Sequence, residues 1–167
     1  ASDWYKRQAC ALSGLVVFLF LSAGTEKTSL TEGYRLGDKA PGIEPAGNSE
    51  MIDFSNSTSY SLVNFWAAYD ATSRVRNLQL WNKVNALDST LINFYSVSMD
   101  EYQSVFEETL KTDKLDAKNH FLEKNGKKSP VYKNYGLKNG FRSFLIDQHG
   151  VIVAINITPE ELSEKVS

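Results

Sequence analysis

An α/β fold built on a mixed β-sheet is expected for this chain, on three observations. The stretch from Leu62 to Arg76, LVNFWAAYDATSRVR, reads as a buried strand, a short turn and the start of a helix. A second apolar run, Leu91 to Met99, follows that helix at the spacing of a parallel crossover. A third run, Ser143 to Asp147, is joined to Val151–Ile155 by Asp147-Gln148-His149-Gly150, which reads as an antiparallel hairpin.

Taken in order, Lys6 and Arg7 precede an apolar segment from Ala9 to Ala23, followed by the small residue Gly24. Residues 1–24 therefore read as a secretory signal peptide, too short for the ~18 or more apolar residues of a spanning helix. Export is expected, with membrane contact only through this segment. Leu21-Ser22-Ala23 resembles a bacterial lipobox, but Gly24 stands where the lipidated cysteine belongs, and Cys10 lies before the apolar run. Residues 25–35 read as a linker and 36–167 as the folded domain.

Glu44 to Tyr60 is rich in Ser, Asn, Gly and Pro and is expected to be mostly loop. Asp70 sits where a helix N-cap belongs, with Ala71, Thr72 and Ser73 in the first turn. Val75, Leu78, Trp81, Val84 and Leu87 recur at helical spacing and are expected to face the core. Asp100 and Gln103 form a candidate capping box, and Tyr102, Val105, Phe106, Thr109 and Leu110 a second apolar stripe. His120 to Leu122 reads as a short strand or packed loop. Pro130 can open a short helix that ends near Gly136. Thr158-Pro159-Glu160-Glu161 is a capping box with proline at N1, starting a last helix.

The bulk numbers narrow the function. With 167 residues, 42% of them hydrophobic, the chain can build a sizeable core. A net charge of −2 gives no electrostatic footprint for a nucleic acid. Cys10 is the single cysteine, which excludes an intramolecular disulfide and a dithiol mechanism.

Phe65, Trp66, Ala67, Tyr69 and Arg74 resemble the active-site segment Phe-Trp-Ala-x-Trp-Cys-x-x-Cys-Arg of the thioredoxin superfamily, especially the TlpA/ResA-like (redoxin) branch of the bacterial envelope. Leu36 to Gly42 resembles that family's Gly-x-x-Ala-Pro-x-Phe opening. Gly140 to Asp147 resembles its Gly-Ile-Pro-Thr-x-Phe-Leu-Ile-Asp segment. The resemblance covers about Leu36 to Val166. It implies a thioredoxin-like three-layer α/β/α sandwich, a periplasmic or envelope location, and thiol–disulfide oxidoreductase or peroxidase chemistry. It also sets Asp70 and Ser73 on the two cysteine positions and Arg142 on the cis-proline position.

Dithiol exchange needs a thiolate at the helix N-terminus and a second thiol to resolve the mixed disulfide. A carboxylate at Asp70 and a hydroxyl at Ser73 supply neither. The reading that follows is a redox-inactive module with no catalytic residue, which binds a protein or peptide through Trp66, Tyr69, Asp70 and Arg142. The alternatives are the family's oxidoreductase or peroxidase chemistry, or an unrelated enzyme using Asp70 and Arg142. Ser73 as a nucleophile lacks a base, because neither His120 nor His149 has a motif spacing to it. No metal-ligand spacing joins Asp70, Asp147 and a histidine, and no cofactor is expected. Arg142 is expected to approach Asp70, and the Phe141–Arg142 peptide to be trans, since a non-proline cis bond costs about 3–4 kcal/mol.

Overall fold

A computed structural model describes residues 30–44 and 51–166. The apolar segment Ala9 to Ala23 and Cys10 lie outside the described residues. Five strands form one sheet in the order β3-β2-β1-β4-β5. They are β1 (Tyr60–Trp66), β2 (Ile92–Ser98), β3 (His120–Leu122), β4 (Ser143–Ile146) and β5 (Ile152–Ile155). β1 pairs in parallel with β2, which pairs in parallel with β3; β1–β4 and β4–β5 are antiparallel. Helix α1 (Ala71–Asn85) makes the β1–β2 crossover. The remaining helices are α2 (Gln103–Thr112), α3 (Pro130–Asn134) and α4 (Pro159–Val166).

The period-two alternation of β1 separates two cores. Val63 and Phe65 pack with Phe144, Ile146, Val131 and Tyr135, beneath α3 and the N-terminal loop. Leu62 faces the other way and packs with Leu145, Leu80 and Leu162, beneath α1 and α4. Helices on both faces of a mixed sheet give the expected three layers. Trp66 ends this second face in a smaller cluster with Phe106, Leu110 and Leu122.

Local signals hold at most boundaries. The Asp70 carboxylate accepts from Ser73 N at 2.8 Å and caps α1. Ser129 caps α3, with Pro130 at its first position. Thr158 and Glu161 bond reciprocally at the start of α4. Asp147 Oδ1 accepts from His149 N and Val151 N in the β4–β5 turn, where Gly150 has φ +80°.

Four expectations change. The buried face of α1 consists of Ser73, Asn77 and Leu80, while Val75 is 54% exposed and Trp81, Val84 and Leu87 are half-buried. Asn77, paired with β1 and β2, takes part of the inward face, so Trp81, Val84 and Leu87 pack on the rim of the second core and Val75 is left outside it. α2 has no side-chain cap: its N-cap is Tyr102, and Asp100 turns inward to other partners. Tyr102 and Val105 of its stripe are exposed. Residues of the expected linker belong to the domain, since Gly33 and Thr31 bond to Lys39 and Tyr34 packs on the first core.

Candidate functional site

The loop from β1 to α1 is held from three sides. Asp70 N donates to Ala67 O at 3.1 Å, closing the turn. Asp70 caps α1 through Ser73 N, and the buried Ser73 hydroxyl donates to Asp70 O at 3.1 Å. The Ala67 N–H faces Ser73 Oγ at 3.4 Å. Beneath the loop, both oxygens of the buried Asp100 carboxylate accept from Ala68 N, at 3.1 and 3.0 Å, and one accepts from Ser98 Oγ at 2.7 Å. These bonds stand in for a cation, since neither ion pair among the described residues involves Asp100.

The proposed binding residues separate. Tyr69 is 65% exposed and lies over Phe141, with ring centroids 6.3 Å apart. Partial burial, and then the nearby Asp100 carboxylate, raise its phenol pKa above the ordinary value. It borders a groove of about 340 Å³ with Met99, Asp100, Glu101, Tyr102, Val105 and Lys127. Trp66, expected among the binding residues, is 0% exposed and belongs to the core. Its Nε1 donates to Ser96 Oγ at 2.7 Å.

Arg142 makes no ion pair with Asp70: the ion pairs among the described residues are Arg74–Asp113 and Lys111–Glu108. No peptide bond among those residues is cis, and Arg142 O accepts from Phe65 N at 3.0 Å. The arginine that reaches across the site is Arg76, one turn into α1. It donates from Nε to Asn64 Oδ1 at 3.2 Å and from Nη2 to Phe141 O at 2.7 Å. Helical spacing explains the exchange. Arg76 and Ser73 are three residues apart on one side of α1, over β1 and the Phe141 loop, and Arg76 takes up the carbonyl there.

Sequence reasoning also missed the polar layer beneath α1. Asn77 Oδ1 accepts from Asn64 Nδ2 at 2.9 Å and from Ser96 Oγ at 2.7 Å, and Ser96 Oγ in turn receives Trp66 Nε1. Asn77 Nδ2 faces His120 Nε2 at 3.3 Å. His120 Nδ1 lies 2.6 Å from Asp116 O, a pure acceptor, so Nδ1 carries the proton and Nε2 accepts. Burial pushes the His120 pKa down and keeps it neutral. This assignment makes His120 structural. His149 is an exposed turn residue, and neither histidine is bonded to Ser73. Among the described residues no group of three or more His, Cys, Asp or Glu is placed to hold a metal ion.

No family model matches the chain, and no curated protein matches it. Solved structures do. A thioredoxin-like protein from Parabacteroides distasonis is 50% identical, with 83% of this chain and 98% of that chain covered and a TM-score of 0.76. This chain belongs to the thioredoxin-like family. The thioredoxin domain of a thiol–disulfide oxidoreductase from Bacteroides vulgatus is 26% identical, over 80% of this chain and 99% of that one, with a TM-score of 0.68. A thiol:disulfide interchange protein from a Bacteroides species is 28% identical, over 79% and 88%, with a TM-score of 0.65. Thioredoxin-like chains thus include both proteins named for thiol–disulfide chemistry and one named for its fold. In the present thioredoxin-like domain, the strand-to-helix corner holds a carboxylate cap and a buried hydroxyl.

Proposed function

We propose that this protein is a redox-inactive thioredoxin-fold module of the bacterial cell envelope that binds a protein or peptide partner. The observation that carries the reading is the α1 N-terminus, where the Asp70 carboxylate is committed to Ser73 N and the Ser73 hydroxyl to Asp70 O. A carboxylate is not a nucleophile toward a disulfide, and a hydroxyl with no base beside it is unactivated. The groove beside Tyr69 combines apolar side chains with Asp100, Glu101 and Lys127, which suits a peptide contact. The envelope location rests on the apolar segment from Ala9 to Ala23.

An insulin-reduction assay on the purified protein tests the redox half of this reading. The expected result is no rate above that of the reductant alone; turbidity growing in proportion to added protein overturns it. Crosslinking and pull-down of the exported protein tests the binding half, and a failure to enrich any protein reproducibly counts against it. The second reading is thiol–disulfide exchange, favoured by the relatives named for that chemistry. In this sequence it would rest on Cys10 alone, as monothiol chemistry.

A further inference from the structure

A second cleft, of about 520 Å³, lies between the first turns of α1 and the β5–α4 connection. Its volume is in the range of small-ligand sites. Val75, Ile157 and Pro159 give it an apolar wall, Thr72 and Gln79 contribute polar groups, and Arg76 is the one charged residue that lines it. Val75 is 54% exposed there.

Arg76 is the unusual member. It is half-buried and takes part in neither ion pair among the described residues. Its bonded acceptors are neutral: Asn64 Oδ1, Phe141 O and, at 3.5 Å, Asn156 Oδ1. Burial lowers its pKa, and only the more distant Asp70 charge opposes that shift. Leaving a guanidinium desolvated without a counter-ion is costly, and an anionic ligand offsets part of that cost. A guanidinium has five N–H donors, and the three bonds leave some of them on a side chain that borders the cleft. The backbone at this wall is also held in an uncommon form. Asn156 has φ +56°, and its side chain accepts from both Ser143 N and Arg76.

We propose that this cleft binds a carboxylate carried on a small apolar body, with the carboxylate on Arg76 and the body against Val75, Ile157 and Pro159. Arginine pairs with carboxylates through charge-assisted, often two-point bonds, and the apolar wall adds contact area beside them. The site stands independently of the redox reading. The carboxylate has two sources, a free organic acid or the C-terminal residue of a partner peptide.

The test is a titration followed by methyl and amide NMR shifts, using N-acetyl-leucine, its amide, and a leucine-terminated tetrapeptide with free or amidated C-terminus. The expected result is that free carboxylates shift Val75 and Ile157 resonances and the amides bind about tenfold more weakly or not at all. Response to N-acetyl-leucine identifies the free-acid source. Response to the free tetrapeptide alone identifies a peptide terminus. Arg76→Gln is expected to weaken the carboxylate by about tenfold or more, with Arg76→Lys between the two. Should Arg76→Gln fail to fold, Val75→Asp places a negative charge on an exposed wall residue and is expected to abolish binding while leaving the fold intact. Equal binding of acids and amides, unchanged binding in these variants, shifts that map elsewhere, or no binding at all overturns the proposal.

Discussion

Replacing Asn77 by leucine removes the shared centre of the polar layer under α1. Three groups lose their partner: Asn64 Nδ2, the Ser96 hydroxyl and His120 Nε2. None can turn to bulk water, since Asn64 and Ser96 are 0% exposed, Asn77 1% and His120 4%. A buried group left unpaired costs about 1–3 kcal/mol, so with one of the three re-pairing locally the expected loss is roughly 2–6 kcal/mol. Against a typical domain stability of about 5–15 kcal/mol, that is a large fraction. Urea unfolding followed by far-ultraviolet circular dichroism at neutral pH measures it. Ser96→Ala, which also strips the acceptor from Trp66 Nε1, completes a double-mutant cycle. The two substitutions share one bond, and their coupling is expected to be on the order of 0.5–3 kcal/mol. A loss of under about 1 kcal/mol for Asn77→Leu, with an unchanged denaturant slope, refutes the reasoning, as does strict additivity.

The remaining expectations concern single sites. Burial holds His120 below its ordinary pKa, so the unfolded chain takes up the proton first as pH falls. Stability is then full above about pH 6.5 and declines as pH drops below it, and His120→Gln flattens that slope in a pH series of urea midpoints. Asp70→Ala removes the α1 cap and is expected to cost about 1 kcal/mol by thermal unfolding, while Asp70→Asn costs less. Asp70→Cys with Ser73→Cys puts a thiolate at a helix N-terminus and is expected to confer measurable insulin reduction that neither single variant shows. At Gly136 a Cβ would lie 2.7 Å from the Tyr34 ring with φ at +61°, so Gly136→Ala is expected to lose at least about 1–2 kcal/mol by urea unfolding.

The sequence by itself determined four of the strands, the crossover, the hairpin, the caps at Asp70 and Thr158–Glu161, and Pro130 as the start of α3. These signals are local, written in side-chain alternation and in bonds between residues two to four apart. It also determined that Cys10 is the only thiol. Only the tertiary structure decided which face of α1 is buried. A hydrophobic stripe reports apolarity, whereas Asn77 is buried because β1, β2 and β3 bring Asn64, Ser96 and His120 to it, from 13 to 43 residues away. Asp100 reads as a helix cap because Gln103 stands three residues on, but its carboxylate accepts instead from Ala68 N, 32 residues distant. The same reason moved the cross-site arginine from Arg142 to Arg76. Opposite charges at matched family positions say nothing about reach, and reach is set by where α1 lies over β1 and the Phe141 carbonyl.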